Sequence, residues 1–123
     1  MAQRIEVGII ELARFIVDTI VDKKGDDIVL LDLRGRTIIA DYFVVCSGAS
    51  TRQLKAIIEG ITEEVKKNYG INARAVEGEA ESGWVLVDYG DVVVHAFAPE
   101  VRRYYDLEGF WLQNEASILL KIQ

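Results

Sequence analysis

The chain reads as a single α/β domain, a mixed sheet of about five strands with helices packed on it. Three observations predict this. Two long segments carry apolar residues at spacings of three and four, the signature of a helix with a buried face. Short apolar runs of strand length lie between and after them. Two of these runs, residues 84–87 and 92–98, flank Asp88-Tyr89-Gly90-Asp91. That tetrapeptide reads as a tight hairpin turn, because glycine takes the positive φ such turns need. At 123 residues the length is that of one domain.

The first helix is expected over residues 4–22. Ile5, Ile9, Leu12, Ile16 and Ile20 fall on one face. Ile10, Phe15, Val17 and Val21 widen the apolar arc, so the helix is either buried on two sides or meets a second chain. Lys23-Lys24-Gly25 reads as its stop, with cations at the negative end of the dipole and then a glycine. Residues 27–33 (DIVLLDL) form a near-continuous apolar run, which predicts a strand buried on both faces. Arg34-Gly35-Arg36 is a turn. Residues 37–40 start a second strand in this reading, and it resumes at residues 42–46 (YFVVC). Ser47-Gly48-Ala49-Ser50 opens the second helix, with Ser50 and Gln53 at capping-box spacing. Leu54, Ile57, Ile58, Ile61 and Val65 are its buried stripe, and Asn68-Tyr69-Gly70 ends it. Residues 71–76 predict another strand, followed by an acidic loop with Glu77, Glu79 and Glu81. After the hairpin, Pro99 suits the first turn of a helix that carries Arg102 to Tyr105 and ends near Gly109. Beyond Trp111 an apolar run at residues 118–122 fits either an edge strand or a helical turn.

Composition excludes several classes. A net charge of −6 argues against a general nucleic-acid binder and suits a basic protein partner. A single cysteine excludes an internal disulfide and any paired-cysteine metal site. No apolar run has the length of a bilayer span. The first residues lack the features of a signal or transit peptide, so a reducing, cytoplasmic setting is the expectation.

Few residues carry chemistry. The Ser47-Gly48 junction resembles a phosphate cradle, since N–H groups at a helix start attract anions. Phosphoryl transfer also needs metal-holding acids. Asp88 and Asp91, three apart across a turn, would not point side by side from one strand. Helix capping explains the junction better. His95, mid-strand among valine and alanine, reads as structural rather than as a base or ligand. Cys46, in a buried strand, reads as core. No metal or cofactor is expected. Trp84, Tyr89, Tyr105 and Trp111 are core or interface candidates. Trp111 fits the core, and Trp84 and Tyr89, at the hairpin, stand between the two readings. Of Arg102 and Arg103, one is expected to pair with an internal carboxylate and the other to face a partner. Aromatic and arginine residues on a short helix beside a hairpin suit a protein-binding surface better than a catalytic pocket.

The segments DYFVVCSGASTRQLKAI, AVEGEAESGWVLVDYGDVVVHAF and RRYYDLEGFW together resemble the ribosomal silencing factor, or Iojap, family. The likeness runs from about residue 8 to residue 111. It implies a domain over residues 1–111 and a C-terminal extension over 112–123. It also implies a fold similar to nucleotidyltransferases but without their catalytic acids, and hence no enzyme activity. The family resemblance implies a partner, ribosomal protein uL-fourteen on the large ribosomal subunit, with limited rRNA contact. Binding there would block joining of the small subunit when nutrients are short. The resemblance further implies a homodimer in the free state and a cytoplasmic, bacterial role; organellar relatives act in ribosome assembly. Carried over by motif, the partner-facing residues are Trp84, Tyr89 and Tyr105, with Asp88, Asp91 and Arg103 as polar support. Two alternatives stand beside this reading: a ribosome assembly factor for the large subunit, and, from a different class and ranked below it, a nucleotide-binding enzyme built on Ser47-Gly48.

Overall fold

A computed structural model describes residues 8–123. The start of the expected first helix, residues 4–7, lies outside the described residues. Helix α1 (Ile9–Asp22) buries Ala13, Ile16, Val17 and Ile20. The wide apolar arc is largely satisfied within the chain. Phe15 meets Tyr69 edge-on at 5.0 Å, and among the described residues of the arc only Val21 is left substantially exposed. The helix stops where expected, but by a different device. Lys24, not Gly25, takes the left-handed conformation, with φ 67. Gly25 is needed for close approach instead, because a Cβ there would press into the Ile20 side chain.

Strand β1 (Asp26–Asp32) follows. The expected strand start at residues 37–40 is not a strand. The Thr37 hydroxyl accepts from the Ile39 N–H at 3.1 Å, which bends the chain, and Ile38 and Ile39 stand exposed. Strand β2 (Tyr42–Ser47) is buried along its whole length. Helix α2 (Thr51–Tyr69) begins with the predicted cap: Ser50 Oγ accepts from Gln53 N at 3.1 Å. The return bond goes to the N–H of Ala49, one residue earlier than in the standard box. Gly70, with φ 69, ends the helix.

The expected strand at residues 71–76 shrinks to β3 (Ala75–Glu77). A short 3-10 turn (Ala80–Ser82) leads into the predicted hairpin, β4 (Trp84–Asp88) and β5 (Val92–Phe97). The single last helix is in fact two. Helix α3 (Pro99–Tyr105) carries proline in its first turn. It breaks at Asp106, whose φ of 46 is left-handed, and α4 (Leu107–Gln113) begins there. Asp106 closes one helix and caps the next: its N–H reaches Arg102 O, and its carboxylate accepts from Gly109 N at 3.2 Å. The tail is an edge strand, β6 (Ser117–Ile122), paired antiparallel to β1. It brings the sheet to six strands.

Strand order is β3-β4-β5-β2-β1-β6. Only β2 and β5, at the centre, run parallel; the other pairs are antiparallel. Alternation along each strand then sorts side chains onto two faces. Helices α1 and α2 cover one face, against Ile28, Leu30, Val44, Val85, Val94 and their neighbours. The second face holds Val29, Leu31, Phe43, Val45, Val93 and Phe97, and among the described helices only the short α3 and α4 lie near it, with Trp111 as the buried plug.

Candidate functional site

The developed surface lies on the second face, at the end where β4 begins. Trp84 pairs across the hairpin with Phe97, and Leu86 with His95. Residues directly opposed on antiparallel strands share a face, so Trp84, His95 and Phe97 are neighbours. The indole of Trp84 packs on Phe97 and on Tyr105, with ring centroids 4.8 Å apart in both cases. Its Nε1 donates to His95 Nδ1 at 3.2 Å. Tyr105 in turn meets Tyr104 edge-on at 5.0 Å. Tyr104 is 81% exposed and Tyr105 54%. Trp84 is half-buried, so the three rings form a ridge rising from core to solvent.

Two arginines support this ridge in different ways. Arg102 grips Glu108 along one guanidinium edge, with Nε and Nη2 donating to the two carboxylate oxygens at 3.1 and 2.6 Å, and its Nη1 donates to Ser47 Oγ at 2.8 Å. The Arg102–Glu108 pair is mostly shielded from solvent, so it pins α3 to α4 and to the end of β2. Arg103 is exposed and makes no ion pair with another described residue. It lines a cleft of about 470 Å³ beside α3, with Asp27, Asp106 and Lys121 also on its walls.

The six residues singled out in the sequence do not form one patch. Trp84 and Tyr105 are in contact, and Arg103 is on the same helix as Tyr105. Asp88, Tyr89 and Asp91 sit at the opposite end of the hairpin. Asp88 Oδ1 accepts from Gly90 N at 2.7 Å, so that carboxylate holds the turn. Asp91 is exposed at the tip, and its carbonyl accepts from the N–H groups of Asp41 and Tyr42. Tyr89 packs against the helix-covered core, on the other side of the sheet from Trp84. Its hydroxyl is buried without a partner among the described residues, and burial pushes it up to about 12.

Sequence reasoning passed over Tyr104 and Phe110, both exposed on α3 and α4. Helices of 7 residues are too short for periodicity to say which side faces water. The Ser47-Gly48 junction has structural work throughout. A Cβ on Gly48 would meet Leu54 at 2.8 Å, so glycine lets α2 sit close. Ser47 is held by Arg102, and the N–H groups of Ala49 and Gln53 are taken by Gln53 and Ser50 side chains. That arrangement is helix capping. Cys46 is fully buried, and burial pushes its thiol up to about 12, well away from a reactive thiolate. No described helix is long and apolar enough to cross a membrane.

Fold and surface thus define a small α/β protein whose most developed feature is an exposed aromatic ridge suited to recognition. Comparison with known proteins gives the family. The family described as ribosomal silencing factor during starvation matches residues 7–123. The ribosomal silencing factor of Bacillus subtilis is 47% identical over 90 residues, covering 73% of this chain and 75% of its own. That of Halalkalibacterium halodurans is 41% identical over 101 residues, covering 82% and 86%. A crystal structure of a Chromobacterium violaceum protein superposes with a TM-score of 0.80 at 38% identity, over 85% of this chain and 86% of that one. The chain belongs to the ribosomal silencing factor family, whose name is that of a regulator rather than an enzyme.

Proposed function

We propose that this protein represses translation by binding the large ribosomal subunit through ribosomal protein uL-fourteen and blocking small-subunit joining when nutrients are limiting. It acts without catalysis, in the cytoplasm. The observation that carries this reading is the Trp84–Tyr105–Tyr104 ridge, aromatic and half-exposed, on a chain of net charge −6. Aromatic anchors of this kind supply much of the energy of protein interfaces. The negative chain would draw in a basic ribosomal protein and keep rRNA contact limited. Arg103, exposed beside the ridge, supplies a polar contact at its margin. Asp88, Tyr89 and Asp91 lie too far along the hairpin to share that contact, so they support it by holding the hairpin's shape or form a second, smaller contact. In the free state the chain pairs as a homodimer in this reading, with exposed Phe110, Leu112, Ile118 and Leu119 as the apolar surface available for it.

Tyr105 is the residue to test, because Trp84 is also part of the core and its removal would disturb folding. Tyr105→Ala should leave the fold intact by circular dichroism. It should weaken co-sedimentation with purified large subunits by more than tenfold, which corresponds to about 2 kcal/mol for a central anchor. Wild-type levels of co-sedimentation by the folded variant would sink this reading of the ridge.

A further inference from the structure

The indole of Trp84 has one hydrogen-bond donor and no acceptor. That donor is turned inward, to Nδ1 of His95. The bond fixes the tautomer: an indole can only donate, so Nδ1 is bare and Nε2 carries the proton. Nε2 is buried and finds no partner among the described residues. His95 itself is 4% exposed, with its ring 4.5 Å from that of Phe43 and 6.2 Å from that of Phe97. Desolvation by burial holds the imidazole at about 4, so at neutral pH it is uncharged and Nδ1 is free to accept.

A histidine is a costly choice for this position. Its neighbours on β5 are valines, alanine and phenylalanine, and an aliphatic residue would pack there without bringing a buried, unpaired N–H of its own. What histidine has and they lack is an acceptor at the δ position, and the structure uses that acceptor once, on Trp84.

We propose that His95 is a positioning residue for the recognition ridge: its Nδ1 locks the Trp84 indole against Phe97 and Tyr105 with the N–H turned inward. Trp84 then meets a partner through ring carbons alone. The partner group that fits it is an apolar side chain or the aliphatic stem of a basic one, not a carbonyl seeking a donor. This rests on the reading of Trp84 and Tyr105 as partner-facing.

The test uses the whole chain, labelled with nitrogen-15, and three variants: His95→Leu, His95→Asn and His95→Gln. Trp84 and Trp111 are the two tryptophans, so each spectrum holds two indole N–H signals, assigned with Trp84→Phe. The Trp84 signal should be protected from exchange with water in the wild type. In His95→Leu it should shift and lose protection while that of Trp111 stays in place, and large-subunit affinity per folded protein should fall about tenfold. Asparagine puts an oxygen where Nδ1 sits, so His95→Asn should restore both readouts. Glutamine carries its amide one carbon further out and should restore neither, although it is closer to histidine in length. In a Trp84→Phe background, which keeps a ring but removes the N–H, His95→Leu should add less than about twofold, because its effect runs through the indole donor. An unmoved Trp84 signal in His95→Leu, equal rescue by glutamine, or a full additional loss without Trp84 would each overturn the proposal. Should the wild type fail to bind large subunits, the proposed function falls, and the spectra still decide the lock: a shift with leucine restored by asparagine supports it, and no shift refutes it.

Discussion

The two faces of the sheet are built from different materials. The helix-covered face is mainly aliphatic and closed: Ile16, Ile20, Ile57, Ile61, Val44 and Val94 are all fully buried. The opposite face mixes Val29, Leu31, Val45 and Val93 with aromatic rings and is only partly roofed. It has Phe43, His95, Phe97 and Trp84 under two short helices, and Tyr104, Tyr105 and Phe110 remain in solvent. Aliphatic packing gives the chain its stability without exposing anything to a partner. The aromatic face accepts a thinner roof, an unpaired histidine N–H and exposed rings. Those features make little sense as packing and good sense as a surface for recognition.

This contrast can be broken at its strong side first. Ile57→Ala empties a fully buried site under α2 and should cost about 2–5 kcal/mol in urea denaturation. Its large-subunit binding per folded molecule should stay at the wild-type level. A selective loss of binding would mean the two faces are coupled.

A smaller effect sharpens the contrast through pH. The folded imidazole of His95 resists protonation until about 4, whereas in the unfolded chain it protonates near its ordinary 6.5. Between those values the unfolded state binds more protons, so stability falls as pH drops from 7 toward 4. By pH 5 the loss should be about 2 kcal/mol. His95 is the one histidine in the chain, so His95→Leu should flatten the stability profile between pH 7 and pH 5. A slope unchanged in that variant would show that other groups set it.

The smallest effect probes the flaw on the covered face. Tyr89 buries a hydroxyl there without a partner among the described residues. Tyr89→Phe should therefore be neutral or stabilising by up to about 1 kcal/mol. A clear loss in thermal denaturation would reveal a bond that the hydroxyl makes in solution.

Much of the fold was legible because local chemistry and periodicity agreed. Ser50 and Gln53 announced α2, Gly90 the hairpin, and Pro99 the start of α3. Other features had no local signature. An apolar run such as residues 118–122 suits strand or helix, and only the open edge of β1 decides for β6. The break at Asp106 uses a left-handed aspartate, where sequence reasoning looks for glycine. The site was half legible. Tyr89 and Trp84 share the hairpin, yet they are an odd number of residues apart, so alternation along the strand puts Tyr89 on the opposite face with Val85 and Val87. The Trp84–His95 bond was available in principle, since a hairpin pairing Trp84 with Phe97 puts residue 95 on the same face. The sequence reads His95 as structural, which agrees with its buried place, but does not name Trp84 as the donor its ring accepts from.

The central claim is that the aromatic ridge keeps the two ribosomal subunits apart. Its most direct test is a joining assay on sucrose gradients, with purified large and small subunits and either the wild-type protein or Tyr105→Ala. The account predicts that the wild type travels with free large subunits and shrinks the joined peak, while folded Tyr105→Ala leaves that peak at full height. A joined peak unaffected by the wild type, or reduced equally by the variant, would contradict it.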